Sequence, residues 1–495
     1  MATRSDKHGE AMQRLFYPSF DGGLNLSVPN ESLARNELKE AINVEFSPSR
    51  GFLQVRGGLV WSGRFDYSIE DVVPVVGRSG FLARRKDTKQ LFYYKWNNIW
   101  PVQGTLNGNE PMSIAAWGDD EFLVASGGKL QLFSDVGLPK IETLANSPDK
   151  CKFVFVRNGR AGVVNGDDTI TFSYVGDCNL WDNDPDDEST GQFIEVGYKD
   201  GMNINAIVPL SRDLIVFKSP VQEPEKGTIW RLTGDFPEWQ VLEAAHNTGT
   251  FSQRSVASVG NDVFFISPAG IASLSNVTSY GEVKTGWPDR KVANSLTNLL
   301  ETTAQLWDIP VKQQLWIKPS YDSSEIWIFD YSRGIWTKFR FPKVPVSVTG
   351  VKNKVYLFIG RDLYALTDGF FYDDLRDEGK REIEGYLKLG TILTGRQTLI
   401  KGAYASFEIF PQCQAELWLG KFHMTFRNDG EVEYIYDPPN DTQYASEDND
   451  PLFPDGGVLT SRRHCIVRDW AITPEIKIKG GGCAISTMGL EIVEV

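Results

Sequence analysis

Residues Glu325–Phe341 read EIWIFDYSRGIWTKFRF. Ile326 to Asp330 alternates aromatic and β-branched residues, the composition of a strand and not of a helix. Tyr331-Ser332-Arg333-Gly334 supplies a turn that ends in glycine, for which a left-handed backbone carries no steric cost. Trp336, Phe339 and Phe341 then carry a returning strand. The stretch predicts an antiparallel hairpin.

Two other stretches share this build. Leu91–Val102, LFYYKWNNIWPV, sets an aromatic strand before an Asn97-Asn98 turn and a closing Trp100. Ile229–Leu242, IWRLTGDFPEWQVL, sets the turn Gly234-Asp235-Phe236-Pro237 before a closing Trp239. Three units of about 46 residues separate Trp100 from Trp239, and two of about 48 separate Trp239 from Trp336. Hairpin-bearing repeats of about 40–50 residues are the blades of β-propellers. Between Trp61 and Tyr372 a period of about 47 residues fits between six and seven times. Six blades are expected, with terminal segments lending partial strands to ring closure. Blade-like segments run Val72–Leu106, Met112–Leu144, Phe153–Val196, Ile204–Leu242, Val256–Leu300 and Gln305–Phe341, and Val346–Leu366 is able to complete the ring.

At 495 residues the chain exceeds one core, so two or three domains are expected. Its 46 glycines and 25 prolines suit many turns and few long helices. The polar stretch Met1–Arg14 is no secretory segment, and no apolar run of about 18 residues predicts a membrane span. Five cysteines, at 151, 178, 413, 465 and 483, form no disulfide framework and fit a reducing site of synthesis. A net charge of −14 argues against gripping nucleic acid through a basic face. It permits an acidic wall past which DNA slides, and it is also ordinary for a soluble protein.

Three segments stand apart from the repeats. Phe16–Gly58 carries Gly22-Gly23 for a tight turn or close backbone approach, a short helix NELKEAI capped by Asn36, and two strands about the turn Pro48-Ser49-Arg50-Gly51. Lys291–Thr302 spaces Val292, Leu296, Leu299 and Leu300 as a helix packed on a blade edge. From Asp373 a charged junction leads to further strands, Ile383–Phe410 and Ala415–Tyr436, with a long polar loop at Asp437–Gly457. The domains expected are therefore an N-terminal arm at 1–60, a propeller at 61–372, and an all-β sandwich or short barrel at 373–495.

Catalytic and metal signals are weak. Asp182, Asp184 and Asp186 alternate as in a calcium loop, yet Asp187 stands where the turn glycine belongs and Phe193 where the bidentate glutamate belongs. A solvated loop is the default for it, and for Glu447-Asp448-Asn449-Asp450. The histidines, 8, 246, 423 and 464, share no helix-face spacing with another ligand, and His464 and Cys465 point to opposite faces of a strand. Gly128-Lys129, Gly379-Lys380 and Gly420-Lys421 lack the Ser or Thr of a phosphate loop, and Gly480-Gly481-Gly482 reads as a turn or bulge. Arg84-Arg85-Lys86, placed in a hairpin turn, and Arg462-Arg463-His464 are the tight basic groups. The 14 tryptophans fit packing between blades, or the sugar site of a lectin-like propeller. No cofactor, metal or catalytic residue is assigned, and the chain is expected not to be an enzyme.

Phe20-Asp21-Gly22-Gly23-Leu24-Asn25, Asn36-Glu37, Asn43-Val44 and Leu53-Gln54-Val55-Arg56-Gly57-Gly58 together resemble the opening segment of tail nozzle proteins of short-tailed bacteriophages, also called tail tubular protein B or packaged-DNA stabilisation protein. The hairpin style of the middle and the closing strands of Pro474–Val495 resemble that group too. The resemblance implies a structural protein of the virion tail, made in the host cytoplasm, that retains the packaged genome and guides its ejection. It implies a homo-oligomeric ring, a hexamer, next to a tail adaptor or portal-side ring and to fibre, spike or needle proteins. Duplex DNA would pass without sequence recognition. Phe20, Asp21, Gly22, Gly23, Leu24, Asn25, Arg56 and Gly57 are then the expected docking segment. The other reading open to the sequence is a propeller enzyme or glycan binder with a site in its central funnel.

Overall fold

The computed structural model describes residues 13–47, 52–75, 77–184, 186–210, 213–220, 223–234, 238–274, 288–368, 370, 372–408, 414–427, 432–436, 458–480 and 484–494. Two compact units divide the chain, one of Trp61–Ile326 and Phe341–Leu366, the other of Met1–Val60, Trp327–Arg340 and Thr367–Val495.

The first unit is a β-propeller. Blade 1 consists of Ile69–Pro74, Gly80–Arg85, Gln90–Lys95 and Asn98–Thr105, and blade 2 of Ser113–Ala116, Glu121–Ala125, Gln131–Ser134 and Lys140–Thr143. Blade 3 has Phe153–Arg157, Arg160–Val164, Thr169–Phe172 and Gln192–Glu195; blade 4 has Asn203–Leu210, Asp213–Ser219, Thr228–Thr233 and Gln240–Ala245. In each of these four, every strand pairs antiparallel with the next. Blade 5 shows Val256–Val259, Asp262–Ser267 and Gly270–Ser273 among the described residues, and blade 6 contributes the hairpin of Gln305–Ile309 and Gln314–Lys318. Blade 7 is Ser347–Val351, Lys354–Ile359 and Asp362–Thr367, completed by the strand Gly58–Arg64 from the other end of the propeller sequence.

The first strands of blades 2 to 7 touch in order, and that of blade 7 touches that of blade 1. Blades 1 and 2 share a buried cluster that includes Val73, Leu82, Tyr93, Phe122 and Phe133, which closes a ring of seven. Comparable clusters lie between blades 2 and 3, 3 and 4, 4 and 5, and 7 and 1. In the last of these Phe81 stacks on Tyr94 at 4.6 Å and meets Phe358 edge-on at 4.9 Å. Middle strands such as Val263-Phe264-Phe265-Ile266 are buried on both faces and therefore read as continuous apolar runs, while the outermost strand Gln240–Ala245 stays largely exposed.

The repeat is thus confirmed and its number corrected from six to seven. Trp100 and Trp336 lie near the start of the strand that closes their hairpins, and Trp239 immediately precedes its own. Blades 1 and 4 are three steps apart in the ring order. The count fell short because residues 347–367 form three strands of a blade in half a period and borrow the fourth from Gly58–Arg64. Two local readings also move. The turn at 97–98 is at Trp96-Asn97, both with positive φ (53° and 63°). Helix 291–302 is one α turn, Ala293–Leu296, continued as Thr297–Leu299, which buries Val292 and Leu296 against blade 5 but leaves Leu299 exposed.

The second unit is a two-sheet sandwich. One sheet runs Val44–Phe46, Leu53–Val55, Ala484–Glu494, Ile392–Glu408, Val458–Ile472, and Gln13–Tyr17 also pairs along Ala484–Glu494. The other runs from Ile335–Arg340 through Glu37–Ile42, Glu384–Leu389, Pro474–Lys479, Gln414–Leu419 and Phe422–Arg427 to Val432–Tyr436. Burial alternates strictly along Glu384–Leu389, Gln414–Leu419 and Pro474–Lys479, the mark of strands with one face in a core. The sheets meet at Phe407 and Phe426, 4.8 Å between ring centroids. Strands from residue 384 onward share their sheets with residues 13–60, and the two compact units part at 60/61, 326/327, 340/341 and 366/367.

The helix expected over NELKEAI is the strand Glu37–Ile42. A register shift between Leu38 and Glu40 inserts one residue, so Leu38 and Ala41 are both buried three positions apart. That bulge imitates a helical spacing, and pairing with Gly23–Leu24, Ile335–Arg340 and Glu384–Leu389 overrides the helix-forming composition.

Arg56 holds this unit together. Its guanidinium is 1 % exposed and donates to both carboxylate oxygens of Asp373 at 2.9 and 2.7 Å, to Gly57 O at 3.0 Å and to Asn43 Oδ1 at 3.2 Å. Asp373 also accepts the Leu59 amide at 3.0 Å, and Asn43 donates to Glu384 O at 2.9 Å. Asp373→Ala should cost the unit about 3–5 kcal/mol by thermal unfolding, because it strands a buried cation. The double replacement Arg56→Met, Asp373→Leu should lose less, and an equal loss would refute the ion-pair account.

Candidate functional site at the propeller axis

Three consecutive residues before blade 5, Gln253-Arg254-Ser255, form a single 3-10 turn. The Gln253 amide accepts from Ile207 N at 2.9 Å and donates to Ile207 O at 3.1 Å, bracketing the first strand of blade 4. Ser255 Oγ donates to Ala304 O at 3.0 Å, on the approach to blade 6. Arg254 points the other way. It donates to Asp71 Oδ1 of blade 1 and, at 2.9 Å, to Met112 O at the start of blade 2. Asp71 Oδ2 accepts the Met112 amide at 2.6 Å, so one carboxylate joins blades 1 and 2 and receives Arg254 from blade 5.

Two buried lysines lie near the end of the second strand of blade 4 and at the end of that of blade 6. Lys218 is fully satisfied: Asp168 at 2.6 Å, Asp200 at 2.8 Å and the Val196 carbonyl at 2.6 Å surround its ammonium and fasten blade 3 to blade 4. Lys318 has the carbonyl of Pro345 at 2.7 Å and the Tyr321 ring at 5.2 Å. Burial pushes its pKa down to about 8, against a smaller opposing pull from Asp322. The folded chain therefore binds this proton less readily than the unfolded chain. The cost is full below about pH 8 and is relieved as pH rises towards the unfolded value. Measured against Lys318→Met, the wild-type protein should gain about 3 kcal/mol of relative stability between neutral pH and pH ~10.5. A pH-independent difference would mean that Lys318 is not held in this state.

The acidic loop is organised by a cation of the protein's own. Arg160 is buried and donates to Ser173 O at 2.7 Å, Thr190 O at 2.5 Å and Glu188 O. Asp184 Oδ1 accepts the Asp186 amide at 3.0 Å, and Asp187 Oδ1 accepts from Ser189 N and Oγ at 2.9 and 2.7 Å, which lowers the Asp187 pKa. Phe193, in the place of a calcium-binding glutamate, is an exposed strand residue. Among the described residues no three His, Cys, Asp or Glu side chains are grouped to hold a metal. Arg160→Ala should open residues 173–191 to limited proteolysis, whereas added calcium should leave wild-type digestion unchanged; calcium protection would reverse this assignment.

The expected docking residues are mostly interior. Phe20, Gly22, Gly23, Leu24, Asn25, Arg56 and Gly57 are buried, and Asp21 is exposed. Gly23 has φ +62°, and a Cβ there would come within 2.3 Å of Ile335 Cγ2, so the close approach read at Gly22-Gly23 is real. Asn25 binds Glu37 at 2.8 Å, and Asn36 binds Asp21 at 2.8 Å. Arg84, expected in a solvated turn, is a buried strand residue that donates to Glu110 O at 2.8 Å and pairs with Glu70 at 2.8 Å. Arg85 lies 3.1 Å over the Tyr67 ring. His246 pairs with Glu243 three residues before it, a carboxylate spacing that the reading of the histidines passed over, and His423 stacks on Trp418 at 4.2 Å. Cys151 and Cys178 are buried free thiols. His8, Cys413, Cys483, residues 437–457 and Gly481-Gly482 lie outside the described residues, as do the side chains of Arg462, Arg463, His464 and Cys465.

Trp316, Trp327 and Trp336 are buried, but Trp61, Trp96 and Trp100 are exposed, so interior packing accounts for only some tryptophans. No helix among the described residues is long and apolar enough to cross a membrane.

The fold defines the class: a seven-bladed β-propeller protein that carries a second, two-sheet unit. No protein-family model and no curated protein matches the sequence. Among solved structures the chain is similar to the WD40 propeller domain of Doa1, at 14% identity over 63% of this chain and 95% of that one, with a TM-score of 0.39. It is also similar to BamB from Moraxella catarrhalis, at 13% identity over 62% and 96% with a TM-score of 0.37. A third is virginiamycin B lyase from Staphylococcus aureus, at 12% identity over 62% and 98% with a TM-score of 0.40.

Proposed function

We propose that this chain is a structural protein of a bacteriophage tail, a copy of the ring that forms the distal nozzle of the DNA channel. The observation that carries the reading is the opening segment, Phe20–Asn25 with Leu53–Gly58, and its resemblance to tail nozzle proteins. Its burial gives those residues a folding role: they build the sandwich through Arg56, Asp373 and the close approach at Gly23. Docking to an adaptor or portal-side ring then falls to the exposed surface of this unit, and Asp21 alone of the expected residues lies there.

The axis of the propeller, spanned by Arg254, favours this reading over a ligand funnel. On the proposal, DNA passes between subunits and not through any one propeller. A charge of −14 per chain, repeated around the opening, keeps phosphates from adhering. The protein would be made in the host cytoplasm, act without a catalytic residue or cofactor, and end in the virion beside fibre, spike or needle proteins.

The test is electron microscopy of the purified full chain, alone and mixed with tail-less particles. Rings, six copies by the resemblance, with an opening wide enough for duplex DNA are expected, and particles that receive the protein should retain their genome. A chain that stays monomeric in the presence of those particles, yet binds or turns over a sugar, would hand the case to the funnel reading.

A further inference from the structure

The turn Gln253-Arg254-Ser255 leads into blade 5, across the ring from the junction of blades 1 and 2. Counting round the ring, blade 5 is three steps from blade 1 through blades 6 and 7, and three steps from blade 2 through blades 4 and 3. No position is farther from blade 5 than the junction of blades 1 and 2. Arg254 nevertheless reaches that junction, bonding Asp71 on one side of it and Met112 O on the other. Its side chain must therefore run across the axis. An arginine suits the task because its planar head offers several donors at the end of a long stem.

We infer that residues 253–255 are a cross-axis strap: a built-in device that occupies the propeller's central opening and fixes the separation of opposite blades. Its neighbours act as the anchor. Gln253 clamps blade 4 through both backbone groups of Ile207, and Ser255 holds the approach to blade 6, so the base of Arg254 is fixed from both sides. Asp71 is fixed in turn by the Met112 amide, which leaves its second oxygen aimed at the guanidinium. The Arg254 side chain is 25% exposed and that of Asp71 10%, so the contact is partly shielded from water, and each end is held before they meet. Such pre-organisation lowers the entropy lost in making the contact. The strap denies the axis to ligands or strands entering it, and it links motions of blade 5 to those of blades 1 and 2. This inference concerns the propeller alone and does not depend on the tail reading.

Hydrogen exchange on the full chain tests it. In Arg254→Ala, amide exchange should rise about tenfold both at Met112, across the ring, and in Val256–Val259. Peptides of Phe153–Val164 in blade 3 should keep their rate. A rise confined to 253–256, or none, would overturn the strap. If that variant fails to fold, Asp71→Asn keeps the shape and an acceptor for Met112 but loses the charge. It should speed exchange at 253–259 from the far side of the ring, and unchanged exchange there would be equally fatal.

Discussion

A guanidinium cannot be buried alone, and the sandwich unit is arranged around that constraint at Arg56. Removing an unpaired cation from water is prohibitive, so the fold must deliver Asp373, the Gly57 carbonyl and the Asn43 side chain to one point. Asp373 lies more than 300 residues along the chain from the other two. The requirement makes residues 43–59 and 373–384 mutually dependent, and Asn43, at φ 55°, takes a left-handed backbone to hold both Arg56 and the amide of Arg340. Leu53–Gly58 belongs to one unit with the strands that follow residue 367.

The propeller solves the same problem several ways. Lys218 receives two carboxylates and becomes a fastener between blades, whereas Lys318, at the end of the corresponding strand of blade 6, receives a carbonyl and an aromatic ring and is pushed towards neutrality. Arg160 donates to the carbonyls of Ser173, Glu188 and Thr190 and so shapes the acidic loop from within. Lys218 and Arg160 each tie separate stretches of chain together through their bonding partners.

Much of this architecture was legible in the sequence because hairpins are local. The run from Ile326 to Gly334 encodes its own strand and turn, with Asp330 accepting from Ser332 and Arg333 as expected of a turn-forming aspartate. The spacing of Trp100, Trp239 and Trp336 reported the period. What failed was non-local. The bulge at Lys39 depends on its partner strand, Arg84 is buried by carbonyls about 25 residues away, and the seventh blade is assembled from the two ends of the propeller sequence. Gln253-Arg254-Ser255 is unremarkable as a string; its meaning arises only when Asp71 is brought across the ring. The burial of the residues that carry the resemblance was not legible, since a Gly-Gly pair and an Arg suit a surface loop as readily as an ion-paired interior.

The borrowed strand of blade 7 has a consequence for how the protein is made. Trp61–Arg64 leaves the ribosome before its pairing partner, Asp362–Thr367, which follows only after roughly 300 further residues. At synthesis rates of about 5–20 residues per second the strand waits on the order of tens of seconds with its backbone groups unpaired. During that interval it is an open edge, available to the same strand of another nascent chain. Gly58–Arg64, GLVWSGR, meets the hazard with a glycine at each end of its apolar core and an arginine at its tip, features that discourage stacking between copies. Ring closure is then the last event of propeller assembly, and premature termination anywhere before residue 362 leaves an open arc.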